Sequence, residues 1–297
     1  MTRRCAVIIP AYNAARFLGA TLESVSAQTF REFDVTVVND GSSDETGAVA
    51  RRHPEIRLIE QDNAGVAAAR NRGVRETTSE WLAFLDADDL WMPRKLSLQI
   101  QCAKESDAGA VFCDLKIIDV DGQDVPQPPS PGVSLDMEPL LLHSETIPQG
   151  TSSTLLVRRA VFESIGGYDE SLATMADWDL LIRLRQTTTF AHVPQELAAY
   201  RRYAGTMSRS VAMLERESLL ILNKVFGRSD LPPQWRRLEG KSRAWNDLVL
   251  SGSHFAARNF KPALRFGLRA LRRDPALFGR ILHLPVRWAH RLVGVGQ

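Results

Sequence analysis

A chain of 297 residues that is 44% hydrophobic and 24% charged, with a formal net charge of +2, can bury a sizeable core, as one large domain with an appendage or as two modest domains. No stretch approaches the roughly 20 apolar residues of a membrane span, and the basic N-terminus runs into an apolar segment too short for a secretory signal. Cys5, Cys102 and Cys113 are odd in number and lack metal-ligand spacing, which argues against a disulfide framework and for a reducing, cytoplasmic setting.

Residues 5–9 are a compact apolar strand, followed by a turn at Pro10-Ala11-Tyr12-Asn13 and a helix with the apolar stripe Phe17, Leu18, Leu22 and Val25. Asn13 is that helix's expected N-cap. A second strand, 33–38, ends in Asn39-Asp40-Gly41-Ser42-Ser43-Asp44, where Ser42 and Glu45 fit a capping box. A third, 56–59, leads through Asp62-Asn63-Ala64-Gly65 to a helix over 66–74 that carries Arg70 and Asn71. The fourth, 81–85, stops in Asp86-Ala87-Asp88-Asp89. Crowded carboxylates repel, and a hard cation bridging to phosphates would give the cluster a purpose; the plainer reading is a helix start rich in acid before Pro93.

Strand alternating with helix predicts a parallel sheet flanked by helices, with every strand's carboxyl end on one rim. Tyr12, Asp40, Asn63 and Asp86 to Asp88 would converge there. Neither a Gly-x-Gly-x-x-Gly after the first strand nor a P-loop is present, so the pattern fits a nucleotide or polyphosphate site built from acids, an arginine and a metal.

Further along, 108–118 reads as a strand, and 119–134, rich in Pro, Gly and Asp, as a loop that either lines an acceptor cleft or is a surface insertion. Residues 151–157 are strand-like, Gly166-Gly167-Tyr168-Asp169 is a turn, Asp177 and Asp179 open an amphipathic helix, and 190–193 and 197–201 are closing strands. Helical spacing then runs over 211–226, 233–250, 254–272 and 275–292, which sets a catalytic-type domain over 1–210 and a helical region over 211–297. Residues 259–275 look like half of a tetratricopeptide unit, with no second copy. In the final helices Arg258, Lys261, Arg265, Arg269, Arg272, Arg273, Arg280, Arg287 and Arg291 face a single acid, Asp274, and are interleaved with Phe260, Phe266, Phe278, Leu282 and Trp288. That composition suits either a segment lying on an anionic membrane surface or a solvated face of packed helices.

The ordered stretches Val7-Ile8-Ile9-Pro10-Ala11-Tyr12-Asn13, Val37-Val38-Asn39-Asp40-Gly41-Ser42-Ser43-Asp44, Asn63-Ala64-Gly65 with Ala69-Arg70-Asn71, Leu85-Asp86-Ala87-Asp88-Asp89 and Ala176-Asp177-Trp178-Asp179 resemble a family 2 inverting glycosyltransferase. Each is weak alone; the set, over about residues 5–208, is specific. The resemblance implies an α/β GT-A fold, a mostly parallel central sheet flanked by helices, with a C-terminal helical appendage. It implies a nucleotide-sugar donor, UDP-sugar favoured, bound by Pro10, Ala11, Tyr12, Asn13, Asp40, Asn63, Arg70, Asp86 and Ala87. It also implies a divalent metal, Mg2+ or Mn2+, on Asp88, and Asp177 as the general base toward a glycan or lipid-linked acceptor. Bacterial surface polysaccharide or glycolipid synthesis would be the setting, in the cytoplasm, with peripheral contact at the inner face of the cell membrane through the basic helices.

Two departures stand out: Ala176 where the family commonly has Glu before the base, and Tyr203 where many relatives have His after the closing strand. Arg202 or Tyr203 is the candidate to replace that His. A non-catalytic nucleotide-sugar-binding module is the alternative, in which Asp177 is only a helix-start acid. A sugar-1-phosphate nucleotidyltransferase would need a basic Gly-rich loop after the first strand, and nucleic-acid binding is contradicted by the acidic rim.

Overall fold

Cys5–Ala11 is buried at every position, as expected of a strand covered on both faces, and forms β1 of the computed structural model. The structure describes residues 4–127, 134, 136–142, 151–203 and 211–278. In chain order follow α1 (Ala15–Ser26), β2 (Phe33–Asp40), α2 (Thr46–Arg51), β3 (Arg57–Gln61), α3 (Val66–Arg75), β4 (Trp81–Phe84), β5 (Leu90–Trp91), α4 (Lys95–Ser106) and β6 (Ala110–Ile118). After them come α5 (Met137–Leu141), α6 (Thr151–Thr154), β7 (Leu156–Arg158), α7 (Arg159–Ser164), α8 (Ala176–Thr187) and β8 (Phe190–Arg201). The chain closes with α9 (Val211–Phe226), α10 (Pro233–Arg236), α11 (Glu239–Ala256), α12 (Phe260–Arg273) and a 3-10 turn, Pro275–Leu277.

The chain divides into two units, Met1–Asp136 with Thr146–Thr206, and Met137–Glu145 with Met207–Gln297. In the first unit an 8-stranded sheet has the order β3-β2-β1-β4-β7-β6-β8-β5. The half expected from the sequence, β3-β2-β1-β4, is parallel. The other half is mixed: β7 is antiparallel to both β4 and β6, β6 is parallel to β8, and the two-residue β5 is antiparallel to β8. Trp81, Phe84, Ile8, Ile9, Leu18 and Leu22 are among the largest wholly buried side chains and place the core around β1 and β4.

Several local expectations give way to tertiary contacts. β1 runs through Pro10 and Ala11, paired with Val38 and Asn39, so the turn begins only at Tyr12. Asn13 does not cap α1; its φ is +50° and its side chain is turned to the next loop, while Thr46 Oγ1 and Asp44 Oδ2 accept the N–H groups of Ala14 and Ala15 at 2.8 and 3.1 Å. Ser42 and Glu45 form no capping box, because the Ser42 hydroxyl accepts from Asn13 N and Asp44 takes the Thr46 N–H. Asp86, Asp88 and Asp89 are not a helix start: a strand intervenes and α4 begins at Lys95. Residues 151–154 are a helical turn rather than strand. The two closing strands are one, β8, since residues 194 and 195 are taken up by an irregularity opposite Cys113 and Asp114.

In the second unit, the expected helices over 233–250 and 254–272 are redistributed: α11 runs to Ala256 and the break falls at Ala257 to Asn259, with Arg258 at φ +60°. Asp247, wholly buried on α11, receives Arg269 Nε at 2.9 Å and Arg273 Nη1 at 2.6 Å and locks α12 against α11. The last expected helix, 275–292, begins as the 3-10 turn Pro275–Leu277, and its remainder from 279, with Arg280, Leu282, Arg287, Trp288 and Arg291, lies outside the described residues, as do 128–133 of the 119–134 loop. No helix among the described residues is long and apolar enough to cross a membrane.

Candidate active site

The parallel register brings the carboxyl ends of β3, β2, β1 and β4 to one rim. Beyond β1, Tyr12 is 55% exposed, an aromatic face standing free at the rim. Asn13 ties this loop to the one after β2: its Oδ1 accepts from Ser43 N at 2.9 Å. Asp40, at the end of β2, is buried and accepts from Gln61 Nε2 at 2.7 Å and from the N–H groups of Ala64 and Gly65 at 2.9 Å each. Gly41 permits that approach, with φ +73° and room for a Cβ only by collision with Asn63 N at 2.7 Å. Asn63 itself is exposed.

The three carboxylates after β4 have three different environments. Asp86 Oδ1 accepts from Arg70 Nη2 at 2.6 Å. Asp89 is wholly buried and held by the Ser153 hydroxyl at 2.5 Å and Arg201 N at 3.0 Å; burial, with Asp86 and Asp88 nearby, pushes its pKa well up. Asp88 Oδ2 accepts from the Tyr203 hydroxyl at 2.9 Å. Burial raises the Asp88 pKa, Asp86 raises it further, and the Tyr203 hydrogen bond and Arg201 only partly offset them. Arg201 is committed to backbone, with Nε on the Asp88 carbonyl at 2.9 Å and Nη1 on the carbonyls of Asp119 and Val120 at 3.1 and 3.0 Å. Ala87 is buried and contributes its carbonyl to Thr21 Oγ1 at 2.9 Å.

Arg70, on α3, is the hub. Its side chain is 5% exposed, and its other terminal nitrogen, Nη1, lies 3.2 Å from Asp177 Oδ1 on the first turn of α8. The guanidinium carbon sits 4.9 Å from the Tyr168 ring centroid. Burial works to lower the Arg70 pKa, but Asp86, Tyr168 and Asp177 outweigh it and the charge is held. Asp177 also accepts from the Ser152 hydroxyl at 2.7 Å. Its pKa stands above the usual carboxylate value because burial, aided by Asp86, outweighs Arg70 and Ser152, yet 35% of its side chain remains open to an incoming group. The neighbouring acid, Asp179, is structural: it accepts from Arg183 Nε at 2.7 Å, and Arg183 Nη1 secures the carbonyls of Ile165 and Gly167 at 2.8 and 2.7 Å.

The sequence reading missed Ser152, Ser153 and Tyr168. For the two serines the signal was the run Thr151-Ser152-Ser153-Thr154, four hydroxyl residues placed before an apolar strand. Asn71 is the other hidden link: its amide accepts from Tyr168 N at 2.9 Å and donates to the Tyr168 carbonyl at 2.8 Å, so the Arg70-Asn71 pair grips the turn leading to α8.

Among the described residues no three His, Cys, Asp or Glu side chains are grouped to hold a metal ion. Asp88, a buried carboxylate held by one hydroxyl and repelled by Asp86, nonetheless fits a hard cation whose other ligands would be phosphate oxygens and water.

A central sheet, parallel in its first half and flanked by helices, is the GT-A fold of glycosyltransferases. Residues 6–166 match the family model Glycosyl transferase family 2, and the chain belongs to that family. It is 31% identical over 191 residues to an uncharacterized glycosyltransferase of Rickettsia typhi, a match covering 62% of this chain and 59% of that one. It is 35% identical over 173 residues to one of Nostoc, covering 54% and 53%. The chain thus spans little more than half the length of these relatives. Among solved structures, Staphylococcus aureus TarS 1–349 with UDP-GlcNAc aligns at TM-score 0.65 and 20% identity over 95% of this chain and 81% of that one. The mannosyltransferase PcManGT of Pyrobaculum calidifontis, with GDP-Man and Mn2+, aligns at TM-score 0.61 and 19% identity over 99% and 85%. At these identities the likeness establishes the fold.

Proposed function

We propose that the protein is an inverting, metal-dependent glycosyltransferase that moves a sugar from a nucleoside-diphosphate sugar to an acceptor hydroxyl. The observation that carries this reading is the Asp86–Arg70–Asp177 bridge, which sets a partly open carboxylate beside the acidic rim where a donor would lie. Tyr12 offers its exposed ring to the base, and Pro10, Ala11, Asn13, Asp40, Asn63 and Ala87 form the rim around base and ribose. Asp86 faces the ribose or sugar. Asp88 holds a divalent cation, Mg2+ or Mn2+, which when bound supplies Lewis-acid stabilisation of the departing nucleoside diphosphate. Asp177 takes the proton of the acceptor hydroxyl, whose oxygen attacks the anomeric carbon opposite the leaving group, so configuration inverts. Arg70 and the Ser152 hydroxyl both donate to Asp177 Oδ1, which favours its anion and aims it.

A UDP-sugar is the favoured donor, in keeping with the UDP-GlcNAc complex of TarS; the GDP-Man complex of PcManGT makes a GDP-sugar the second to test. The acceptor is a glycan or lipid-linked glycan of bacterial surface polysaccharide or glycolipid synthesis. Purified protein incubated with UDP- and GDP-sugars and Mn2+ or Mg2+ should release nucleoside diphosphate from one donor, and chelation should abolish the release. A donor that binds tightly but is never cleaved, with glycan acceptors present, would establish the alternative, a nucleotide-sugar-binding module.

A further inference from the structure

The basic C-terminal helices resolve into an inner and an outer face once α12 is seen in place. Ala263, Phe266, Gly267 and Ala270 are buried, and Arg269 and Arg273 are drawn onto Asp247. Phe266, which the sequence placed among the aromatics interleaved with the cations, is therefore core, and its ring stacks on His254 at 5.4 Å. What is left outward is different. Phe260, Leu264 and Leu268 are 60%, 66% and 48% exposed, and their four-residue spacing puts them in one arc of roughly 80° on the helix. Phe255, 47% exposed at the end of α11, meets Phe260 edge-on at 5.7 Å and extends the stripe.

Lys261, Arg265 and Arg272 form the next arc, roughly 40° wide, directly beside the apolar one. Lys261 and Arg272 are exposed and have no ion-pair partner among the described residues; Arg265 reaches only Glu215, at 3.8 Å, and stays 65% exposed. No Asp or Glu lies on α12. An apolar stripe left in water with a row of cations along one flank is the form of a helix lying in a membrane interface, apolar side chains among the acyl chains and cations at the phosphates.

We infer that the outer face of α12, with Phe255, docks on an anionic lipid surface. A protein groove would also accept an apolar stripe, but it gives no reason for an unbroken basic flank, whereas anionic headgroups match it in sign. The inference stands on the second unit alone and is independent of the proposed transfer chemistry. Truncation near Gly252 would cut through α11 and discard the partners of Asp247, so surface substitutions in the full chain are needed.

The full chain should co-sediment at low salt with vesicles of phosphatidylglycerol and phosphatidylcholine, and not with phosphatidylcholine alone. Phe260→Ser/Leu264→Ser/Leu268→Ser and, separately, Lys261→Gln/Arg265→Gln/Arg272→Gln should each lower the vesicle partition about tenfold or more, and salt should mimic the second. Unchanged far-UV circular dichroism and thermal midpoint in both variants identify the loss as one of surface. A chain that ignores the anionic vesicles, or triple variants that bind as well as the parent, would overturn the inference; capture of a protein partner without vesicle binding would overturn it too.

Discussion

The Tyr203 hydroxyl donates to Asp88 Oδ2 across 2.9 Å, joining residues 115 positions apart in the chain. It engages one oxygen of the carboxylate proposed to hold the cation. Without that bond, Asp88 would face burial and the repulsion of Asp86 with less support. Tyr203→Phe is therefore expected to weaken Mn2+-dependent donor binding by roughly 10- to 150-fold, the span of one hydrogen bond to a charged group. Asp88→Asn should remove the metal dependence altogether. Calorimetric titration of the donor with and without Mn2+ checks both; equal affinities in all variants would refute the assignment of Asp88.

Asp177→Asn should leave donor affinity intact while turnover falls by roughly 10²-fold or more, as for loss of a general base. Ser152→Ala makes a finer test. Its hydroxyl favours the Asp177 anion, so its removal raises a pKa that burial already holds above the usual carboxylate value. A base works above its pKa. The acid limb of the pH–rate profile should accordingly move to higher pH in Ser152→Ala, with the plateau little changed; a limb that stays in place would mean that Asp177 is not the titrating base.

Arg70→Met removes the cation shared by Asp86 and Asp177. Both carboxylates keep about a third of their surface, so the cost should be about 1–3 kcal/mol rather than the larger figure for a sealed pair. The pH dependence has a definite sign. Arg70 opposes the rise in the Asp177 pKa, and without it that pKa climbs further above its unfolded value, so folding favours the protonated form. The variant should be closest to the parent in stability at acid pH and fall behind as pH rises through the elevated pKa. Denaturant midpoints measured across that range would show the divergence, and a constant difference would contradict it.

Asp247→Ala tests the second unit. The buried carboxylate is the common acceptor of Arg269 and Arg273, whose side chains are more than a third exposed and can rehydrate when it is lost. The expected loss is about 2 kcal/mol, local to the α11–α12 pair. Hydrogen exchange should quicken in those helices and leave β1 and β4 unchanged. Uniform acceleration, or none, would count against this account.

How much of this could be read from the residues divides along one line. Apolar runs such as Cys5–Ala11 and Trp81–Phe84 are local, and they announced the parallel half of the sheet and the acidic rim. β5, two residues long, has no periodicity to detect, and β7, three residues long, takes its direction from β4 and β6 on either side. At the site, residue types were legible and partners were not. Asp86, Asp88 and Asp89 look alike in sequence, yet Arg70, Tyr203 and Ser153 give them different tasks. Asn13 and Ser42 were expected to cap the helices nearest to them and instead bind each other's loops, because a competing partner lay close only in space. Lys95, at the start of α4, is wholly buried against Trp91, which no local rule forecasts.

Asp40 carries a last consequence. Both its oxygens are occupied by Gln61, Ala64 and Gly65, so residues 61–65 are fixed by the fold itself, before any nucleotide arrives. Ordering that loop is thus a cost of folding and not of association, and it does not subtract from affinity. The exposed Tyr12 ring is left as the rim element with freedom to adapt. On the proposed reading, selection among bases would come from a fixed frame and one exposed aromatic, and a change at position 12 could alter nucleotide preference without rebuilding the frame around Asp40.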